Sequence, residues 1–261
     1  MGVKVECELL RKEMLVDGIW KYSVRAPEIA NTAKPGQFLE VKVTDNIEPF
    51  LRRPISIYNL IKEEGIVEFI FQVKGRGTEL LSKIEVGKKI DIMGPLGYGT
   101  FKIQDYKNVA IIGGGIGSYP LYELAKELKG RANLNVYLGF RDKSLVTCEK
   151  EFESIGLNKL CVTTDDGSYK EKGFAINFMK KDIEEHMVDM IFACGPLPML
   201  RAVREFAIQN NIPCQVSLEQ RMGCGIGACL GCAVKVISGV NPRYGHVCKE
   251  GPVFNAKDVE F

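Results

Sequence analysis

Residues 109–121 read VAIIGGGIGSYPL. An apolar run with the length of a buried strand leads into a glycine turn, and the turn leads into a helix start. Gly113 and Gly115 take the first two glycine positions of G-x-G-x-x-G, and Ser118 takes the third. The pattern is degenerate, so its context carries the weight: it lies between a predicted strand and a predicted helix. In that setting the turn brings backbone N–H groups against a pyrophosphate at a helix N-terminus. The competing reading is a plain tight turn between strand and helix.

Downstream, strands and helices alternate. Strands are expected at 108–112, 134–140, 160–164, 190–193 and 214–218, and helices at 119–128, 149–155, 175–181 and 198–210. Such alternation builds a parallel sheet covered by helices, a Rossmann-like α/β domain. Residues 191–199, IFACGPLPM, end a later strand in a second glycine turn, expected at the same sheet edge. Cys194 is there a candidate neighbour of a nicotinamide, or simply a small buried side chain.

Upstream, the pattern is different. Residues 3–9, 22–26, 38–43, 55–60, 67–73 and 89–93 are short segments with β-branched and aromatic residues in partial alternation. Turn pairs such as Asp17-Gly18, Pro35-Gly36 and Glu64-Gly65 separate them, and a small antiparallel β-barrel is expected. One short helix is expected at 78–84, with Thr78 as its cap. Within this region residues 52–57, RRPISI, place two arginines at the edge of a β run. Guanidinium groups bind diphosphate oxygens in a bidentate way, although arginines in a turn are also often just solvated. Residues 75–78, GRGT, add a glycine turn before a helix.

The last segment is rich in glycine and cysteine. Residues 222–232 read MGCGIGACLGC, and Cys248 follows. Cys224, Cys229, Cys232 and Cys248 are therefore spaced C-x4-C-x2-C-x15-C, and the first three follow the plant-type spacing of a [2Fe–2S] centre. The intervening glycines let the backbone wrap tightly and present amide N–H groups to sulfur. A structural zinc site is the main alternative; it ordinarily uses two short-spaced cysteine pairs, and only Cys229 and Cys232 form one. Disulfides are disfavoured in the cytoplasmic setting expected here. Three domains are expected: a barrel over 1–102, an α/β domain over 103–215 and a cluster domain over 216–261.

The totals fit this plan. The chain has 261 residues, 46% hydrophobic and 26% charged, with 35 basic and 33 acidic side chains. That balance offers no electrostatic footprint for nucleic acid or an anionic membrane. There is no apolar run of about 18 residues, the length that would suggest a transmembrane helix. The first residues, MGVKVECELLRKE, lack the apolar stretch of a secretory signal, and Glu6 stands where a myristoylation signal needs Ser or Thr.

NAD exchanges two electrons as a hydride, and a [2Fe–2S] cluster exchanges one. A flavin does both, so motifs for the first two imply a flavin between them. Barrel, nucleotide domain and C-terminal cluster, in that order, resemble the ferredoxin–NADP reductase superfamily. Within it, the chain resembles the electron-transfer subunits of class 1B dihydroorotate dehydrogenases. The most specific pieces are residues 52–57, 75–78, 113–121, 194–200, 222–232 and 247–254 (VCKEGPVF).

The resemblance implies bound FAD, one [2Fe–2S] cluster and exchangeable NAD. The superfamily motif R-x-Y-S falls on Arg53, Pro54, Ile55 and Ser56, with Ile55 in place of the usual tyrosine. It implies that Arg53 contacts the FAD diphosphate, that Ile55 makes an apolar contact and that Ser56 lies near flavin N5. By the same likeness Ile70, Phe71 and Gln72 line the flavin, and Gly77 and Thr78 bind its diphosphate. Gly113, Gly114, Gly115, Ile116 and Gly117 would take the NAD side together with Cys194, Gly195 and Pro196, and Ser56 and Cys194 would flank the hydride path. The four clustered cysteines would ligate iron. The family passes electrons from dihydroorotate to NAD⁺ in pyrimidine biosynthesis. A separate FMN-containing subunit oxidises dihydroorotate, and two copies of each subunit assemble. An FMN barrel needs about 250 residues of its own, so a partner chain is expected. The alternatives are a reductase subunit of a hydrogenase or a ferredoxin-linked transhydrogenase, and a non-catalytic, zinc-stabilised nucleotide-binding module. Arg141 and Lys143 would suit a 2′-phosphate and Asp142 a free ribose, leaving NAD and NADP both open.

Overall fold

A computed structural model describes residues 2–44, 46–237 and 242–260. The chain divides into two compact units. The first contains residues up to Thr100, together with Glu219–Ala233 and His246–Pro252.

Six strands of this unit, β1 (Val3–Val16), β2 (Ile19–Arg25), β3 (Phe38–Val41), β4 (Arg53–Ile61), β5 (Ile66–Gln72) and β6 (Lys89–Leu96), close a barrel in the order β1-β2-β5-β4-β3-β6. Every neighbouring pair is antiparallel. The expected first strand was half the observed one. β1 pairs with β6 from Val3 to Glu8 and then with β2 from Glu8 to Val16, with irregularities between Leu9 and Arg11 and between Met14 and Val16. Its second half groups three charged residues, Arg11, Lys12 and Glu13, between apolar ones and is partly exposed, so it carries no alternation to read.

The barrel core is aromatic at its centre. Tyr22, Phe69 and Phe71 are buried, with Tyr22 edge-on to Phe71 at 5.0 Å and 5.7 Å from Phe69. The Tyr22 hydroxyl donates to the Leu81 carbonyl at 2.7 Å, which satisfies the end of helix α2 (Arg76–Leu81); a single turn, α1 (Pro27–Ala30), lies earlier in the chain. Helix α2 starts earlier than expected. Gly75 is its cap residue, and Thr78 sits three residues in, where its Oγ1 accepts from the N–H groups of Lys74 and Gly75 at 2.9 and 3.3 Å. A hydroxyl at that position reaches back to the first turn as a capping-box side chain does.

The second unit has the expected alternation: β7 (Asn108–Gly114), α3 (Pro120–Leu128), β8 (Asn133–Phe140), α4 (Glu149–Ser154), β9 (Lys159–Thr164), β10 (Glu171–Lys172), α5 (Ala175–Glu185), β11 (Met190–Cys194), α6 (Leu197–Gln209) and β12 (Cys214–Ser217). The sheet order is β10-β9-β8-β7-β11-β12-β15, parallel except for β15 (Val253–Asn255), which runs antiparallel to β12. α6 buries Leu200, Val203, Phe206 and Ala207, which helical spacing places on one face.

The tail does not gather into a compact unit of its own. Its cysteine-bearing parts group with the barrel, β15 finishes the α/β sheet, and β13 (Ala233–Val236), β14 (Arg243–His246) and β16 (Val259–Glu260) form a three-stranded sheet. Too few large apolar residues lie in 216–261 to build a core of its own, and β15 pairs onto the existing edge at β12. Among the described residues, no helix is long and apolar enough to cross a membrane.

Phe69→Ala is expected to cost about 3–5 kcal/mol. Urea unfolding should show the loss as a lower midpoint with little change in slope.

Candidate functional site

The cysteine segment is fastened to the barrel unit by backbone bonds. The N–H of Tyr98 donates to the Lys249 carbonyl and that of Gly99 to the Gly251 carbonyl, both at 2.9 Å. Val247 N–H donates to the Cys232 carbonyl at 3.0 Å, joining the two stretches that carry the buried thiols. Cys232 and Cys248 are buried, Cys224 is half-buried and Cys229 is exposed.

Backbone N–H groups converge on the sulfurs. Cys224 Sγ accepts from Ile226, Ala228 and Cys229 at 3.5, 3.2 and 3.3 Å. Cys248 Sγ accepts from Gly227 at 3.1 Å, and Cys232 Sγ from the Cys248 N–H at 3.4 Å. Burial acts to raise the Cys224 thiol, but the N–H groups of Cys229, Ile226 and Ala228 outweigh it and bring it down to about 6. Burial, then the neighbouring Cys232 thiol, push Cys248 up to about 12. The thiols stand in two pairs, Cys224 beside Cys229 and Cys232 beside Cys248. Among the described residues, no three His, Cys, Asp or Glu side chains form a group suited to one ion.

On the barrel, β4 carries the R-P-I-S segment. Ile55 belongs to the core, and its neighbours Arg53, Pro54 and Ser56 are more exposed. The pairing of Ile57 with Phe69 makes Ser56 and Ile70 cross-strand neighbours, both pointing away from the core. Gln72 shares that outer face of β5, whereas Phe71 points inward into the aromatic core. The two arginines divide. Arg52 donates to the Asp91 carboxylate at 2.8 Å, to the Asp91 carbonyl at 3.0 Å and to the Glu40 carbonyl at 3.3 Å. It is therefore spent on tying β3 to β6 and is not available to a diphosphate. Among the described residues Arg53 bonds only the carbonyls of Leu51 and Arg52, and its guanidinium passes directly over Gly77. A Cβ at Gly77 would stand 2.2 Å from Arg53 Nη2. The hydroxyl of Thr78 is engaged with the backbone of Lys74 and Gly75.

In the α/β unit, β7 and β11 lie side by side with Cys194 opposite Gly113. The chain runs outward from β7 through β8 and β9, then returns to the other side of β7 at β11, so the crevice between these two strands is a topological switch point. The two glycine turns meet there: a Cβ on Gly117 would be 2.5 Å from Gly195 Cα. Gly115 has φ +53° and Gly195 φ +158°. Cys194 is buried, and Pro196 is the cap residue of α6. Gly114 and Ser118 are buried, Ile116 is half-buried, and the Ser118 Oγ lies 2.7 Å from where a Gly113 Cβ would stand. At the end of β8, Asp142 Oδ1 accepts from the Ser144 N–H at 2.9 Å, and Arg141 pairs with Asp142 at 3.6 Å.

Residues 219–260 match the family described as the iron–sulfur cluster binding domain of dihydroorotate dehydrogenase B, and residues 6–102 match the oxidoreductase FAD-binding domain. The electron transfer subunit of dihydroorotate dehydrogenase B (NAD(+)) from Desulforamulus reducens is 38% identical over 260 residues, 99% of each chain. This chain belongs to that family of electron transfer subunits. A second member, from Fusobacterium nucleatum, is 37% identical over 264 residues and 99% of each chain. Among solved structures, an NADH-dependent reduced ferredoxin-NADP oxidoreductase aligns with a TM-score of 0.86 at 30% identity, covering 100% of this chain and 91% of its own. An Amycolatopsis cytochrome P450 reductase, at 19% identity and a TM-score of 0.69 over 81% of this chain and 67% of its own, shares the fold.

As a member of the dihydroorotate dehydrogenase B electron transfer subunits, the chain uses FAD and a [2Fe–2S] cluster, and NAD is its electron acceptor. The residues fit these groups. Two thiol pairs with N–H donors suit a two-iron centre better than one zinc ion. Arg53 held over a glycine suits a diphosphate.

Alkylation of the metal-depleted chain checks the contrast between the thiols. Because the thiolate is the nucleophile, the rate at Cys224 should rise with pH and level off above about pH 6, while that at Cys248 keeps rising toward about pH 12. Peptide mass spectrometry across the pH range reads both.

Proposed function

We propose that this chain receives electrons from a partner subunit that oxidises dihydroorotate and delivers them to NAD⁺, serving pyrimidine biosynthesis in the cytoplasm. The observation that carries this reading is the placement of four thiols and the R-P-I-S strand in one compact unit. When bound, the cluster carries single electrons and the flavin converts them into a hydride for the nicotinamide.

Each residue has a part in this arrangement. Cys224 and Cys229 hold one iron, and Cys232 and Cys248 hold the other. Arg53 binds the FAD diphosphate, and Gly77 lets its guanidinium lie flat against the start of α2. Thr78 shapes that turn through its hydroxyl. Ile70, Gln72 and Ser56 form the outer wall on which the flavin rests, with Ser56 toward its reactive nitrogen. Phe71 and Ile55 support that wall from within the core. Gly113, Gly114, Gly115, Ile116 and Gly117 offer backbone N–H groups to the NAD pyrophosphate. Cys194, Gly195 and Pro196 border the nicotinamide, with Cys194 beside the carbon that takes the hydride. Asp142 favours a free ribose hydroxyl over a 2′-phosphate, in keeping with NAD.

The partner is proposed to contain FMN and to assemble with this chain as two copies of each. The likeness to the NADH-dependent reduced ferredoxin-NADP oxidoreductase favours a second reading, a subunit of a ferredoxin-linked transhydrogenase. Affinity purification from the native host separates the two. Recovery of a dihydroorotate-oxidising chain supports the first, and recovery of a ferredoxin-linked subunit in its place rejects it.

Two substitutions test the residues. Cys229→Ala should reduce dihydroorotate-to-NAD⁺ electron transfer about a hundredfold or more, leaving NADH-dependent dye reduction near the wild-type rate. Equal loss of both activities would show that the cysteines hold the whole unit together. Gly77→Ala should displace the Arg53 guanidinium, and losing one charged hydrogen-bond set of about 1.5–3 kcal/mol raises the FAD Kd roughly ten- to a hundredfold. Flavin retained after gel filtration measures it.

A further inference from the structure

Glu40 is 1% exposed, and neither of its carboxylate oxygens has a hydrogen-bond partner among the described residues. It lies on β3 between Pro54 of β4 and Met93 of β6. Its side chain packs against the cysteine loop. A Cβ added at Gly225 would stand 2.5 Å from Glu40 Cγ and 2.8 Å from Oε1, and Gly225 holds φ +69°. Gly225 directly follows Cys224, so the carboxyl lies behind the first thiol pair.

Packing alone does not account for this residue. An apolar side chain would fill the space, whereas burying a carboxylate without hydrogen bonds costs several kcal/mol. An unsatisfied buried group next to a redox centre points to function. The charges that act on it are those of Arg52 and Arg53, which favour its ionised form, and Cys224, which opposes it.

We infer that Glu40 sets the reduction potential of the iron–sulfur centre, through a carboxylate charge behind Cys224 that opposes the arrival of an electron. This rests on the reading that the loop carries a [2Fe–2S] cluster. The effect belongs to the charge, because net charge around a cluster is one of the terms that set its potential. The titration is run at alkaline pH because burial raises this carboxyl, to about 7, against the pull of Arg52 and Arg53, and alkaline solution favours its charged form.

The test is a mediated redox titration of the complete complex at pH 8.5, followed by paramagnetic resonance of the reduced cluster. Glu40→Gln keeps the shape and removes the charge. It should load two irons per chain and raise the midpoint potential by about 59 mV, a tenfold change in a one-electron equilibrium. Glu40→Asp keeps the charge but withdraws it by one methylene, and should give a smaller shift of the same sign. An unchanged potential in a fully loaded Glu40→Gln protein overturns the inference. If that variant fails to retain iron, the Glu40→Asp potential decides: a positive shift supports the inference and none overturns it. Loss of iron from both variants reduces Glu40 to a structural role and also overturns it. A wild-type protein with no reducible iron signal would instead sink the cluster assignment.

Discussion

A thiolate cluster depends on keeping four sulfurs close together in a chain that would otherwise separate them. Here that constraint is met mainly by backbone. The short loop bends through positive φ at Gly225, Gly227 and Leu230, which turns successive N–H groups toward sulfur. The fourth cysteine arrives from a separate stretch, pinned to the residues after β6 by the Tyr98 and Gly99 bonds. Neither stretch has enough apolar surface to fold alone, so the barrel supplies the platform on which both are held. The N–H donors that organise the thiols also stabilise their charged forms, so positioning and ligand preparation come from the same hydrogen bonds.

The R-P-I-S strand shows how two adjacent, identical side chains acquire different work. Arg52 and Arg53 are chemically equal, yet alternation along a strand sends them to different surroundings. Arg52 meets Asp91 and two backbone carbonyls, and its donors are consumed in holding β3 and β6 together. Asp91 is held below the usual carboxylate range by that contact and by Lys4, against a burial effect of opposite sign. Arg53 meets a glycine that makes room for it and keeps donors to spare. A sequence shows two candidate phosphate ligands, and only the cross-strand neighbours reveal which one is free.

Much of the fold was legible because its signals are local. Buried parallel strands are continuous apolar runs and the covering helices have apolar stripes, so β7, β8, β9, β11 and β12 were placed to within a few residues. The cysteine spacing and the glycine turns were equally local. What could not be read depends on partners far along the chain. The outer half of β1 lacks alternation and is a strand because β2 pairs with it. β15 becomes a strand by adding to β12, and β10 by adding to β9. Thr78 looked like a cap because Ser and Thr favour that position, yet the same hydroxyl works from three residues inside the helix.

Glu40 marks the limit of such reading most clearly. Its neighbours Phe38, Leu39 and Val41 are core residues, and a glutamate among them looks like the solvent-facing member of an alternating strand. The alternation is correct: the side chain does point away from the barrel interior, but the loop carrying Cys224 covers it. At this position outward does not mean wet. Whether an outward side chain meets water depends on what the rest of the chain lays over it, and here that cover is a redox loop. Binary patterning decides which face of a sheet a residue takes; the dielectric on that face is a property of the assembled unit.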